Sequence, residues 1–158
     1  MKPAICKIKA LIICFVMVFL FHVTNPLEAV ADDFKNKAKA VMVYKFFQYV
    51  TWPNEMHNSL SGEACFCYYG KNPFLKVLKY IKKKKKSGPQ FLIKEAISLN
   101  NVSECNLLFF STLDDRSLEF LKKDPLPVLT VSDSLSFFDN GGMIALYFED
   151  DRLQLEVN

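Results

Sequence analysis

Apolar and polar positions follow two different periods along this chain, and the change between them predicts strands alternating with helices. The short apolar run at residues 128–131 is typical of a strand covered on both faces, and residues 106–110 predict another buried strand. Two further strands are predicted at residues 63–69 and 91–97. The segments 74–86 and 115–123 between them are predicted to be helices. The last of these strands stops at Ser132-Asp133, which we expect at the carboxyl edge of the sheet.

The carboxyl-terminal stretch, residues 143–157, predicts a hairpin. Two strand-like runs flank Asp150-Asp151, and in the second run Leu153, Leu155 and Val157 alternate with polar residues. That alternation predicts an edge strand with one solvent-exposed face. The complete pattern predicts an α/β fold: a mostly parallel sheet flanked by helices, three-layered like flavodoxin or Rossmann domains, ending in an antiparallel hairpin.

A helix is predicted at residues 32–51, with Asp32 or Asp33 as its cap and Trp52-Pro53 as its end. Its inner face is a stripe with apolar positions every three or four residues: Ala40, Val43, Phe47 and Val50. Further apolar residues widen this surface, so the helix needs cover on two sides, from the sheet and from a second element or a second copy of the chain. We predict partner-binding surface at the aromatic residues Tyr44, Phe47, Tyr49 and Trp52.

Residues 1–31 are predicted to be a cleavable secretion signal. Three lysines precede an apolar run at residues 10–23, and Ala29-Val30-Ala31 offers a cleavage site. The run is shorter than the roughly 20 residues that cross a bilayer, although an uncleaved anchor is the alternative. Cleavage would leave one α/β domain, residues 32–158, carrying 17 basic and 16 acidic residues. That balance argues against nucleic acid as the main partner.

Five consecutive lysines at residues 82–86 close the helix that begins at residue 74. Cations are favoured at this end of a helix by its dipole, so a solvated helix terminus explains the run. The alternative is docking onto anionic lipid headgroups or onto an acidic protein patch.

Export would give the cysteines an oxidising surrounding, in which well-placed pairs form disulfides. Cys65 and Cys67 lie two residues apart on one strand and cannot easily bridge each other. The spacing of neighbouring strands allows a disulfide from either of them to Cys105. We favour the pair Cys67 and Cys105, and three separate buried thiols are the alternative. Reduction of such a bridge, with Cys65 close by, is a candidate redox input. No histidine partners these cysteines, so no metal site is predicted.

Catalysis has little support in the sequence. The predicted mature chain has one histidine, His57, and it contains neither of the glycine-rich nucleotide-binding motifs GxxxxGK(S/T) and GxGxxG. We therefore predict a protein without enzymatic activity or cofactor. The alternative function is that of a periplasmic small-ligand-binding accessory protein for a membrane receptor, transporter or sensor kinase, because open parallel sheets bind ligands where their strands end. Its candidate residues at that edge are Asn72, Ser111, Ser132 and Asp133.

Four blocks of the sequence resemble, in order, those of the YfiR family of exported bacterial proteins. The blocks are AVMVYKFFQYVTWP at residues 40–53, CYYGKNPF at 67–74, ECNLLFF at 104–110, and PVLTVSD at 127–133 followed by GGMI. The resemblance implies a periplasmic repressor that binds the sensor part of an inner-membrane signalling protein, a diguanylate cyclase, and keeps cyclic di-GMP low. It also implies the Cys67–Cys105 bridge. A homodimer is a further candidate assembly.

Two departures from the family pattern stand out. The type member's second, more carboxyl-terminal disulfide has no matching cysteines in this chain. The family also usually continues into a terminal helix after the last strand, whereas this sequence stops at Asn158. We therefore expect either an uncovered sheet face or dimer surface, or a truncated sequence.

Overall fold

The computed structural model describes residues 26–52, 63–85, 87–96, 98–100, 102–123 and 128–158, with backbone alone for residues 26–29. The chain divides after Asp33, and residues 34–158 form one compact unit. Most of the predicted signal segment, residues 1–31, lies outside the described residues, as does His57.

Within the described residues, helices and strands alternate as the sequence predicts. In chain order they are α1 (Pro26–Tyr49), β1 (Ala64–Tyr69), α2 (Leu75–Lys84), β2 (Phe91–Glu95), β3 (Leu107–Phe110), α3 (Asp115–Leu121), β4 (Leu129–Ser132), a 3-10 helix (Leu135–Asn140), β5 (Ile144–Glu149) and β6 (Arg152–Val157). The first helix begins at Pro26, so Asp32 and Asp33 lie inside it instead of capping it.

The strands form one six-stranded sheet in the order β2-β1-β3-β4-β5-β6. All neighbours run parallel except β5 and β6, which pair antiparallel from Ile144↔Val157 to Glu149↔Arg152. Asp150 and Asp151 join these two strands with positive φ angles of 47° and 57°. Aspartate tolerates this conformation, which matches the twist of a tight hairpin. The predicted α/β fold with its terminal hairpin is therefore confirmed.

Each face of the sheet has its own apolar core, and β3 contributes to both. Leu107 and Phe109 join the core beneath α1 and α2, whereas Leu108 and Phe110 join the core beneath α3 and the 3-10 helix. All four side chains are fully buried. Successive side chains of a strand point to opposite faces, so an unbroken apolar run is what a doubly covered strand requires.

The edge strand β6 departs from its predicted pattern. Leu153 is half-buried against the α1 core, but Leu155 and Val157 on the same face are 41% and 68% exposed. The packed cluster extends along this strand only as far as Leu153. Alternation therefore identified the apolar face of β6 correctly but did not reveal how far the covering layer extends.

A disulfide joins Cys67 in β1 to Cys105 just before β3, as we favoured. The two Cα atoms lie 5.7 Å apart, within the usual range for a bridge. Cys65 is a free, buried thiol whose sulfur lies 3.8 Å from that of Cys67. Burial raises the pKa of the Cys65 thiol, which keeps it protonated and slow to react.

Replacing both bridged cysteines by serine should lower the free energy of unfolding by about 4 kcal/mol, because the bridge closes a loop of 38 residues and restricts the unfolded chain. Urea unfolding at neutral pH measures the loss. A Cys65→Ala variant keeps the bridge and should lose a similar amount when a reductant is added. Equal stability of the oxidised protein and the double variant would contradict the prediction.

Candidate functional site

An open apolar groove lies between the outward side of α1 and the edge strand β6. Its volume is about 750 Å³. Its lining is Phe34, Ala38, Val41, Met42, Tyr49 and Leu153, with Lys37 and Lys45 beside them, and we call this surface the α1 groove. Phe34, Val41 and Tyr49 are 60%, 45% and 71% exposed. Clustered apolar side chains in contact with water mark an interaction surface.

Helical spacing creates the groove, because α1 carries apolar side chains on two sides. Ala40 and Val43 face the sheet and are fully buried, while Ala38, Val41 and Met42 line the groove. The groove side continues along the helix through residues spaced three or four apart. The spacing of apolar residues predicts this second apolar side, and the structure leaves it uncovered within the described residues.

Aromatic and charged contacts fix both ends of the groove. The Phe34 ring lies edge-on to the Phe148 ring, with centroids 6.3 Å apart. The Lys35 ammonium lies 5.7 Å above the same Phe148 ring and 3.9 Å from an Asp151 oxygen. At the far end Lys45 lies 5.1 Å from the centre of the Tyr49 ring. The groove therefore has an apolar floor and lysines at its rim.

The structure places the four predicted partner-binding aromatics differently from one another. Tyr44 and Phe47 are only 2% and 7% exposed, so both lie in the core, and Phe47 is on the inner face that its spacing predicts. Phe47 stacks on Phe91 with ring centroids 4.2 Å apart, because this side of α1 crosses the sheet edge at β2. Trp52 is half-buried against Phe47, and its indole N–H has no hydrogen-bond partner among the described residues. Tyr49 alone of the four lies in the groove.

Two groove residues were outside the sequence prediction. Phe34 precedes Ala38 by one helical turn, and that spacing was a usable signal for its position. Leu153 was recognised as an apolar strand residue, but its contact with α1 depends on the packing of a helix on a hairpin distant in sequence. Periodicity within one element contains no information of that kind.

The four residues predicted at the carboxyl edge make structural contacts. Ser111 Oγ donates to the Tyr69 carbonyl and Ser132 Oγ donates to the Phe110 carbonyl, each at 2.9 Å. Asn72 accepts from the backbone N–H of Phe74 at 3.1 Å, while its side-chain NH₂ is buried without a partner among the described residues. Asp133 accepts from Lys39 at 2.8 Å, an ion pair that ties α1 to the end of β4.

The strand order reverses at β1, which has β2 on one side and β3 on the other. Open α/β sheets bind ligands in the crevice at such a point, between the carboxyl ends of the two strands. Here the loops after β1 and β3 are in contact, since a Cβ on Gly70 would lie only 2.8 Å from Thr112 Oγ1. This contact and the Ser111 hydrogen bond hold the two loops together where the strand order reverses.

A smaller polar pocket of about 430 Å³ lies on the opposite side of the sheet, between α3 and the loop after β2. Its charged residues are Arg116, Glu119 and Lys123. Tyr69, also in its lining, donates to the Asp114 carboxylate at 2.7 Å. That hydrogen bond raises the pKa of Tyr69. The Ser117 backbone N–H and the Tyr69 hydroxyl together lower the pKa of Asp114.

The described residues contain no cluster of three or more histidine, cysteine or acidic side chains that could hold a metal ion. In the same part of the chain, no helix has the length and apolar character needed to span a membrane.

The fold and groove define a class of protein: a disulfide-bridged α/β domain whose apolar surface suits binding to another macromolecule. A family model described as YfiR/HmsC-like, DUF4154, matches residues 36–158, and the chain belongs to this family. No curated protein matches the chain. The family is periplasmic and regulatory rather than catalytic, and it fits a general role in cyclic di-GMP signalling through a membrane protein.

Phe47→Ala should destabilise the fold by about 3 to 5 kcal/mol, because it removes a buried ring and leaves a cavity against Phe91. Tyr49→Ala, two residues further along the same helix, should change stability by about 0.5 kcal/mol or less, since its ring is exposed. Urea unfolding of the two variants side by side measures the contrast. Equal losses would show that the burial assigned to α1 is wrong.

Asp114→Ala should cost about 1 kcal/mol at neutral pH, because Asp114 caps α3 by accepting from the Ser117 N–H. The folded-state pKa of Asp114 lies below its unfolded value of 3.8, so its stabilisation is complete above that pH and falls as the carboxylate is protonated. The difference between wild type and variant should therefore shrink below about pH 4. Unfolding curves at neutral and acidic pH test this, and a pH-independent difference would contradict it.

Proposed function

We propose that this protein is a periplasmic regulator that binds the periplasmic sensor part of an inner-membrane diguanylate cyclase and represses it. Membership of the YfiR/HmsC-like family supports the regulatory role. The α1 groove is the observation that supports binding to another protein, because it exposes Phe34, Val41 and Tyr49 together. We also propose that residues 1–31 are a cleaved signal peptide and that residues 32–158 work in the periplasm.

The composition of the groove indicates the kind of surface that fits it. Its lining is almost entirely apolar, so the main gain on binding is removal of apolar surface from water. Tyr49 provides a rigid aromatic ring, and tyrosine is one of the residue types enriched among those that dominate binding energy. Lysines at the rim favour a partner segment that places acidic side chains around an apolar ridge.

The cyclase interface proposed here is centred on the groove, with Tyr49 as the residue retained from the predicted aromatic set. Tyr44 and Phe47 contribute to the core beneath it, and Trp52 packs at the end of that core. These three support the shape of α1 and do not present free surface of their own. A homodimer through the same groove is the competing occupant.

Small-ligand binding is the second candidate function. The polar pocket with Arg116 and Lys123 favours it, since its two cationic side chains suit a small anionic compound. The structural contacts of Asn72, Ser111, Ser132 and Asp133 lend that role less support at the sheet edge where we expected it. An Arg116→Gln variant that fails to regulate while groove variants still do so would favour the ligand.

The regulatory proposal predicts that Val41→Glu combined with Tyr49→Ser abolishes repression without unfolding the protein. Loss of one dominant aromatic contact costs about 2 kcal/mol, or roughly 30-fold in affinity, and the buried glutamate adds to that loss. Cyclic di-GMP is measured in a strain lacking the gene and complemented with each version. Wild type should lower cyclic di-GMP, and the double variant should leave it at the level of the deletion strain.

Leu135→Glu is the matched control, because Leu135 is 51% exposed on the 3-10 helix and is not part of the groove lining. It makes the same kind of apolar-to-acidic change and should still repress. Purified wild type, but not the double variant, should also bind the isolated periplasmic part of the cyclase. Full repression by a folded double variant would rule out the groove as the regulatory surface.

A further inference from the structure

Charge is distributed very unevenly along the chain. Residues 63–95 contain nine lysines and two glutamates, whereas residues 96–158 contain four basic and eleven acidic residues. The basic segment covers β1, α2 and β2, and the acidic segment covers α3 and the hairpin. Near-neutrality of the whole domain therefore conceals one strongly basic region centred on α2.

One side of α2 concentrates this charge at the surface. Lys76, Lys79, Lys83 and Lys84 are exposed, and Tyr80 among them is 61% exposed. Leu78, on the other side of the helix, is fully buried in the core between the helices and the sheet. The exposed residues follow a spacing of three or four, so they form one continuous helical face. We call these five residues the α2 basic face.

Among the residues that the structure describes, no salt bridge joins a lysine of this face to a carboxylate. The ion pairs found among the described residues use Lys35, Lys39 and Lys94, all outside α2. Lysines at the end of α2 contact aromatic rings instead: Lys84 lies 5.7 Å above Tyr80 and Lys85 lies 5.4 Å above Tyr44. Such contacts are compatible with ammonium groups that remain at the surface and keep their charge.

Two open depressions border the face. Lys79, Lys82 and Lys83 line one of about 560 Å³ whose floor includes Leu92 and Ile93. Lys84 and Lys85 line another of about 600 Å³ together with side chains of α1. Each combines at least two ammonium groups with room for a group the size of a phosphate ester.

We propose that the α2 basic face docks the domain on the surface of an anionic phospholipid bilayer. Clusters of four or more basic residues on an amphipathic helix bind anionic headgroups, each lysine contributing about fivefold in affinity. Tyr80 adds an aromatic ring with a polar end, the type of side chain that settles at the membrane–water interface.

A bilayer fits this face better than an acidic protein does. Protein interfaces are enriched in arginine and depleted in lysine, and every basic residue of this face is lysine. Lysine is a strongly hydrated point charge that suits diffuse attraction to many phosphates instead of bidentate recognition of one carboxylate. The acidic segment, residues 96–158, would be repelled by the same surface and would help to orient the domain.

The test is co-sedimentation of the processed protein, purified from the periplasm, with two kinds of vesicle. One is phosphatidylcholine alone and the other contains about one third phosphatidylglycerol, which supplies a negative surface. Wild type should bind the anionic vesicles alone, and added salt should weaken binding by screening the charges. The vesicles contain no protein, so this result is independent of cyclase regulation.

The variant Lys76→Gln, Lys79→Gln and Lys83→Gln should bind the anionic vesicles about a hundredfold more weakly, since each lysine contributes about fivefold. Glutamine has a helix propensity close to that of lysine, so α2 should remain folded. The control Lys71→Gln, Lys122→Gln and Arg152→Gln removes the same charge from exposed positions outside α2 and should bind within about twofold of wild type.

Absence of wild-type binding to anionic vesicles at low salt would overturn the proposal. Equal losses in the two triple variants would also overturn it, since net charge alone would then explain binding. A polyglutamate peptide is the remaining probe. If wild type binds that peptide but ignores the vesicles, and the α2 variant loses the peptide, the face recognises an acidic protein segment instead.

Discussion

Burial of the central strands on both faces is the constraint on which the rest of the structure depends. Phe66 in β1 and Phe109 in β3 face the core beneath α1, while Cys67 and Phe110 on the same strands face the opposite core. A sheet of this kind is stable only when helices cover both sides. On one side α1 and α2 provide that cover, and on the other α3 and the 3-10 helix do so. The bridge at Cys67 lies in the second core.

This constraint explains why one helix can both complete the fold and present a binding surface. The side of α1 with Ala40, Val43 and Phe47 is fixed by the sheet. Its other side is free to vary without affecting the core, yet it is also apolar at Phe34 and Val41. Apolar residues exposed there do not contribute to folding through burial, and they favour association with another surface. The same division holds for α2, with Leu78 inside and lysines outside.

Much of the fold could be predicted because its signals are local. The runs at β3 and β4 showed double burial, Gly141 and Asp150-Asp151 marked turns, and the register of parallel strands brought Cys67 close to Cys105. The inward position of Phe47 follows from its spacing with Ala40 and Val43, but that of Tyr44 could not be predicted, because α1 is apolar around most of its circumference. Which side meets the sheet is then decided by how the helix crosses it, through contacts such as Phe47 on Phe91.

The candidate site was harder to predict because its properties depend on groups distant in sequence. Ser111 and Ser132 were reasonable ligand-binding residues from their place after strands, but their hydroxyls donate to carbonyls of neighbouring strands. A hydroxyl at a strand end can donate to a ligand or to a backbone carbonyl, and the sequence does not distinguish the two until the order of the strands is known. Leu153 shows the converse case, since an ordinary strand residue became part of a groove when the hairpin packed beside α1.

The two surfaces act over different distances, and this makes them complementary. Charge attracts over roughly 8 Å at physiological salt, whereas apolar contact requires water to be expelled from a fitted surface. Both helices cover the same face of the sheet, and Lys85 of the loop after α2 lies over Tyr44 of α1, so the surfaces are linked through one packed layer. Weak, orientating attraction of α2 to a bilayer would raise the local concentration of the α1 groove near membrane-embedded partners. Modest affinity at the groove would then be sufficient for regulation, because binding would begin from the membrane surface instead of from the whole periplasmic volume.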